Sequence, residues 1–103
     1  MNTAQPETLF TLTIHDQEIR VRYQPHCIGG RDPYAILEFS SPHQPRHAIP
    51  VSRSGYRSFF APMSEIEAAP SLEKYACMVA LVLARELAFE MSRSLCQRAH
   101  NGG

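Results

Sequence analysis

The stretch of sequence that decides the fold runs from Ser71 to Gln97 and reads SLEKYACMVALVLARELAFEMSRSLCQ. No helix-breaking residue interrupts it. Ser71 suits the N-cap position, and Glu73 falls in the first turn, where the helix dipole favours a carboxylate. These features predict one long α-helix that nothing stops before Asn101-Gly102-Gly103. At 1.5 Å per residue, the helix is roughly 40 Å long.

The two halves of this helix differ in polarity. Residues 75–84 are apolar on every side. The second half instead predicts a one-sided apolar stripe of Ala84, Leu87, Ala88, Met91 and Leu95, with Arg85, Glu86, Glu90 and Arg93 facing away. A helix that is apolar all round is normally buried all round. The first half therefore needs more cover than one neighbouring layer provides.

The residues before the helix predict a sheet. Apolar and polar residues alternate on both sides of the polar turn 15–17, which is typical of a β-hairpin with one dry face. Further strands are predicted at 34–39, 47–52 and 56–60, with loops at 24–33 and 40–46. Residues 63–69 fit one helical turn capped by Ser64. The predicted class is α+β: a small four- or five-stranded antiparallel sheet packed by one long C-terminal helix.

A sheet of this size is only about 20 Å across, at about 4.8 Å per strand, so the helix should overhang it. An exposed apolar surface of this kind marks an interface. We therefore expect a homodimer in which Tyr75, Met78, Val79 and Val82 form the contact. Another protein could also serve as the partner, and the chain's own loops at 24–33 and 40–47, with Met63 and the turn 64–69, could instead fold over the helix.

Length and composition bound the remaining classes. We expect a single domain, 1–103, with a loose tail at 1–7 and a frayed end at 98–103. The formal net charge is +0, which argues against duplex DNA or an anionic membrane as partner. Residues 1–7 lack a signal-peptide pattern, and the three cysteines are odd in number, as expected for reduced thiols in the cytoplasm. The apolar run 75–84 is shorter than the roughly 20 residues that span a bilayer.

The segment 53–60, RSGYRSFF, carries the most distinctive side chains. Arginines with interleaved aromatics and a glycine suit single-stranded nucleic acid or a phosphate group. The candidate binding residues are Arg53, Gly55, Tyr56, Arg57 and Ser58. The other interpretation is a turn followed by a strand with core aromatics and solvated arginines, which the neutral overall charge favours.

Residues 49–60, IPVSRSGYRSFF, resemble a pattern of small uncharacterised bacterial proteins, P-(L/I)-P-(V/I)-x-x-x-G-Y-R-S-H-F. This chain lacks the first proline and has Phe59 in place of the histidine. The resemblance implies importance for Gly55, Tyr56, Arg57 and Ser58, but it brings no known function with it. If the histidine of the pattern carries chemistry, this chain has lost it.

The remaining candidates for chemistry are weak. His43 and His47 lie four residues apart among prolines that forbid a helix, and no third ligand is evident. His26 and Cys27 are adjacent, which rarely gives a productive nucleophile–base pair. We therefore expect no metal, no cofactor and no catalytic residue. The sequence favours a non-enzymatic interaction protein that self-associates through its C-terminal helix, with a nucleic-acid or phosphate-binding module as the alternative.

Overall fold

The structure of the protein, a computed structural model, describes residues 7–101, with side chains as far as Ser94. Four antiparallel strands form one sheet in the order β1-β2-β3-β4, and a short helix and a long helix follow. This confirms the predicted α+β class. The elements are β1 Thr8–Ile14, β2 Gln17–Ile28, β3 Tyr34–Ser40, β4 Tyr56–Pro62, α1 Met63–Ala68 and α2 Leu72–Asn101.

The predicted hairpin is confirmed in β1 and β2. Ile14 pairs with Gln17, so only His15 and Asp16 lie between the strands, and both have positive φ angles of 52° and 63°. Two-residue turns of this handedness match the twist of the flanking strands. Alternate residues then face the core, which the sheet builds from Ile14, Ile19, Val21, Tyr23, Ala35, Leu37, Phe39 and Ala61.

The predicted loop at 24–33 is wrong over its first half, because β2 continues to Ile28. The pairing of β2 with β3 shifts between Gln24 and Ile28, and His26 has a positive φ of 53°. Irregularities of this kind take up extra residues and tolerate a proline that cannot donate to the ladder. Pro25 therefore interrupts the hydrogen bonding of the strand without ending it.

The predicted strand at 47–52 is also wrong. Ile49 and Ser52 exchange two backbone hydrogen bonds, with N···O distances of 2.9 Å and 3.0 Å, so Pro50 and Val51 form a tight turn. The side chains of Ile49 and Val51 are buried in the core. The apolar character of this segment comes from a loop that fills the core, and the fourth strand of the sheet is β4.

The two helices begin in different ways. Pro62 is the N-cap of α1 and no side chain caps that helix, so the predicted cap at Ser64 is wrong. At α2 the prediction is confirmed: the Oγ of Ser71 accepts a hydrogen bond from the N–H of Lys74 at 3.1 Å. The helix continues to Asn101, through the first part of the predicted frayed end. The predicted tail, apart from Glu7, and the final Gly-Gly lie outside the described residues.

One stripe of α2 packs on the inner face of the sheet. Its buried members are Tyr75, Ala76, Val79, Ala80, Leu83 and Ala84. From Ala88 to Ser94 every side chain is exposed, so the helix extends beyond the sheet as expected. Ala84, Leu87, Ala88 and Met91 of the predicted stripe line one cleft, although Ala88 and Met91 remain exposed, and the side chain of Leu95 lies outside those described.

Candidate functional site

Strand alternation separates the residues that the sequence suggests as an anion site. Arg57 pairs with Phe39, a core residue, whereas Tyr56 pairs with Ser40. Since successive side chains of a strand point to opposite faces, Arg57 lies on the helix side of β4, and Tyr56 and Ser58 lie on the outer side. Arg53 is exposed in the turn that precedes the strand. The structure does not bring Arg53, Tyr56 and Arg57 together.

The outer face of the sheet carries a polar cluster centred on Glu38. Its carboxylate accepts hydrogen bonds from the Tyr56 hydroxyl at 2.5 Å and from Arg22 at 3.0 Å, and Arg22 also pairs with Glu7. The hydrogen bond to Glu38, followed by burial, raises the pKa of Tyr56 above its ordinary value. The guanidinium of Arg46 lies 5.0 Å from the centre of the Tyr56 ring. Tyr56 is thus already held by neighbours of its own chain.

Gly55 has a backbone role. Its φ is +86°, and a Cβ at this position would lie 2.5 Å from the carbonyl oxygen of His47. Its own carbonyl accepts a hydrogen bond from the N–H of Ser41 at 2.8 Å, and the Ser41 hydroxyl accepts from the N–H groups of His43 and His47. Gly55 therefore fixes the loop 41–55 where it enters β4.

The histidines and cysteines do not converge. The rings of His43 and His47 lie 5.0 Å apart, centre to centre. Within the described part of the chain, no three side chains of histidine, cysteine, aspartate or glutamate are placed to hold a metal ion. Cys27 is exposed and Cys77 is partly buried, and both are free thiols.

The structure divides the predicted interface residues into two pairs. Tyr75 and Val79 are buried in the core of their own chain. The Tyr75 hydroxyl donates a hydrogen bond to Glu65 at 2.9 Å, and burial together with this bond raises the pKa of Tyr75 to about 12. Met78 and Val82 are 51% and 47% exposed. Only Met78 and Val82 are therefore accessible to a partner.

The exposed side of α2 adjoins strand β4. Phe59, Met78 and Val82 line one apolar cleft with the buried side chains beneath them. Arg57 lines the next cleft with Arg85, Glu86, Phe89 and Glu90, and Phe89 is 65% exposed. Since β4 is an edge strand of the sheet, this apolar surface continues into an open strand edge. We call the outer edge of β4, together with Phe59, Met78, Val82 and Phe89, the β4 flank.

Two members of the β4 flank were not predicted as interface residues. Phe89 follows Val82 by seven residues, which is two helical turns, so helical spacing could have identified it. Phe59 is a partly buried residue packed against the core. No local signal distinguishes it from the core aromatics, because its position at the sheet edge depends on the order of the strands.

Comparison with known proteins places the chain in a family but finds no individual relative. None of the helices in the described part of the chain is both long and apolar enough to cross a membrane. No curated protein matches the chain, and no solved structure matches it. The family model of the KlcB third domain matches residues 7–91, which include all four strands and the part of α2 that packs on the sheet. The chain therefore belongs to the KlcB third domain family, a small domain of unknown function.

Proposed function

We propose that this domain is a non-enzymatic interaction protein that self-associates through α2, as a homodimer in the cytoplasm of a bacterium. The observation that carries the proposal is the row of exposed apolar side chains on the β4 side of the helix: Met78, Val82 and Phe89. Met78 and Val82 share a cleft with Phe59, and Phe89 lies in the next cleft along the helix; exposed apolar surface of this kind marks an interaction site. A two-fold contact uses the same patch on both copies and so needs no second protein.

Within the described residues, the chain covers only part of the apolar segment 75–84: Met63 and Ile66 of α1 join the same core as Tyr75 and Val79, but Met78 and Val82 remain uncovered. Residues 41–55 do fold towards the core, but they insert Ile49 and Val51 beneath the helix and leave Met78 and Val82 about half exposed. Cover from the chain's own loops, the alternative to a partner, therefore does not extend to the β4 flank in the described residues.

The test is the mass in solution, measured by light scattering at micromolar concentration. The wild-type chain should weigh about twice the 11.6 kDa of one copy, and Val82→Glu should shift it to the mass of one copy because it places a charge in the contact. Leu81→Glu is the matched control. Leu81 is 46% exposed on the same helix but lies about 100° around the axis from Val82, so this variant should stay dimeric. A monomeric wild-type chain contradicts the proposal.

The alternative, that residues 53–60 bind nucleic acid or phosphate, is the weaker proposal because Tyr56 and Arg57 lie on opposite faces of β4. In its favour, these residues are the part of the chain that resembles the bacterial G-Y-R-S pattern. A single-stranded oligonucleotide should then show a salt-sensitive mobility shift that Arg57→Ala removes. The absence of any shift at low salt rules this function out.

A further inference from the structure

The open edge of β4 has a defined set of backbone hydrogen-bonding groups. Next to the ladder between β3 and β4, the N–H of Met63 donates to Pro33 and the N–H of Ser41 donates to Gly55, at 2.9 Å and 2.8 Å. In an antiparallel pair the residues that exchange such bonds alternate along the strand. The odd-numbered residues of β4 therefore bond to β3, and the N–H and C=O groups of residues 56, 58, 60 and 62 point outward.

The two ends of this edge are blocked in different ways. At the start, the Oγ of Ser52 donates a hydrogen bond to the carbonyl oxygen of Tyr56 at 2.7 Å. At the other end, Pro62 has no N–H, and as the N-cap of α1 its carbonyl accepts the first bond of that helix. Between them, the N–H and C=O groups of Ser58 and Phe60 point away from the ladder with β3 and make no other backbone hydrogen bond within the described part of the chain.

The β4 strand of a second copy could pair with this edge in an antiparallel, two-fold symmetric arrangement. Only one register of that pairing gives a partner to every N–H and C=O group of Ser58 and Phe60. With Phe59 opposite its own copy, Ser58 faces Phe60 of the second chain, and the two residues exchange N–H···O bonds on both sides of the axis. Tyr56 then faces Pro62 of the second chain. The carbonyl of Tyr56 already accepts a hydrogen bond from Ser52, so it loses no bond by facing a proline, which has no N–H. With Ser58 at the centre, the Phe60 N–H meets the bonded Tyr56 carbonyl. With Phe60 at the centre, the Ser58 carbonyl meets the missing N–H of Pro62.

The same register suits the helix side of the sheet. Phe59 sits in a position without ladder bonds to its copy, where the two Cα atoms of an antiparallel pair lie about 4.5 Å apart and the side chains are closest. The two rings would meet between Met78 and Val82 of both chains, the residues that share the cleft with Phe59. Arg57 would face Ala61, a small side chain, and would not meet a second arginine.

The strand at the opposite edge differs in its surroundings. The inner side chains Phe10 and Leu12 of β1 are partly buried, as Phe59 is, but in the described residues no exposed apolar side chain of α2 shares a cleft with them. Leu9 of β1 is 69% exposed, but it lies on the outer face of the sheet because it pairs with Arg22, whereas Phe59 of β4 shares an inner cleft with Met78 and Val82 of α2. Pairing there joins the free backbone groups and the free apolar surface in one contact.

We propose that two copies of this chain associate through β4 in antiparallel, two-fold register with Phe59 opposite Phe59, which forms a continuous eight-stranded sheet with both α2 helices on one side. This inference rests on the proposed self-association and specifies its geometry.

A cysteine scan reads the register directly. In a background carrying Cys27→Ser, Cys77→Ala and Cys96→Ser, three single variants are made: Phe59→Cys, Ser58→Cys and Phe60→Cys. A disulfide requires Cα atoms within about 7 Å, and residues offset by two positions from their partners exceed this distance. Under mild oxidation, Phe59→Cys should give a covalent dimer on a non-reducing gel, whereas Ser58→Cys and Phe60→Cys should each stay uncrosslinked.

A second measurement keeps the test independent of the loss of the Phe59 ring. Ser58→Cys and Phe60→Cys are mixed, unfolded and refolded together so that their chains exchange. The proposed register then brings the two different cysteines opposite each other and should produce a mixed disulfide. Thr11→Cys on β1 is the control and should not crosslink.

The outcomes separate the two proposals. Crosslinking of Phe59→Cys and of the mixture supports the register. A background chain that is dimeric by light scattering but crosslinks at Ser58→Cys alone, at Phe60→Cys alone, at Thr11→Cys or at none of the tested positions overturns the β4 geometry and leaves self-association standing. A background chain that is monomeric overturns both.

Discussion

Replacing Gly55 with alanine should destabilise this domain by between about 2 and 6 kcal/mol. A residue other than glycine held at positive φ costs about 1–3 kcal/mol, and the φ of Gly55 is +86°. The added Cβ would also lie 2.5 Å from the carbonyl oxygen of His47, which is backbone and cannot rotate away. Overpacking of this kind costs a further 1–3 kcal/mol or so.

The other two glycines of the described chain separate these two effects. Gly30 has a φ of +119° but no atom within 4 Å of its added Cβ, so Gly30→Ala tests backbone strain alone. Gly29 has neither a positive φ nor an atom within 4 Å of an added Cβ. Gly29→Ala should therefore change stability by at most about 1 kcal/mol, in the stabilising direction if it restricts the unfolded chain.

The measurement is urea unfolding followed by circular dichroism, with all variants at one protein concentration because self-association makes apparent stability depend on concentration. A domain of this size has an m-value of about 1–3 kcal/mol/M, so Gly55→Ala should lower the midpoint by about 1 M or more. From the highest urea midpoint to the lowest, the expected order is Gly29→Ala, Gly30→Ala, then Gly55→Ala. If Gly55→Ala unfolds at the same midpoint as Gly29→Ala, the role assigned to Gly55 is wrong.

Two further predictions concern α2. The pKa of Tyr75 is raised from 10.0 to about 12, so the folded state disfavours the phenolate. This contribution to stability is complete below pH 10 and is lost as the pH rises from about 10 to about 12. In a plot of urea midpoint against pH, Tyr75→Phe should therefore flatten the curve in that range. An unchanged slope would contradict the assignment. Ser71→Ala should lower the free energy of unfolding by about 1 kcal/mol, because it removes the hydroxyl that caps α2 by accepting a hydrogen bond from the N–H of Lys74. Ser64 caps neither helix, so Ser64→Ala should lower the free energy of unfolding much less in the same urea experiment. Equal losses for the two variants would refute the capping role of Ser71.

The elements that sequence predicted well are those with local causes. The α2 helix follows from a long run without a breaker and from the Ser71 cap, and the hairpin follows from alternation around a two-residue turn. Both signals lie within a few residues of the structure that they produce. The same local reasoning failed at Pro25 and at 47–52, where a bulge and a core-filling turn replaced the expected loop and strand.

The interface residues show why burial could not be predicted residue by residue. Tyr75, Met78, Val79 and Val82 are all apolar or aromatic and lie within eight positions, so composition gives no reason to divide them. The division is set by the direction in which α2 crosses the sheet, which buries Tyr75 and Val79 and leaves the other two beside β4. The suggested anion-binding residues are divided for a related reason, since alternation in β4 sends Tyr56 and Arg57 to opposite faces.

The loop 41–55 has a consequence for how the chain can change. It joins two adjacent strands, a position where insertions are usually tolerated, yet it supplies Ile49 and Val51 to the core and is fixed at Gly55. The segment 29–32 joins the preceding pair of strands, and all its side chains are exposed. Of these two connections, 29–32 is the one where a tag, a longer sequence or a new binding loop can be accommodated, whereas variation in 41–55 is constrained as strongly as variation in a strand.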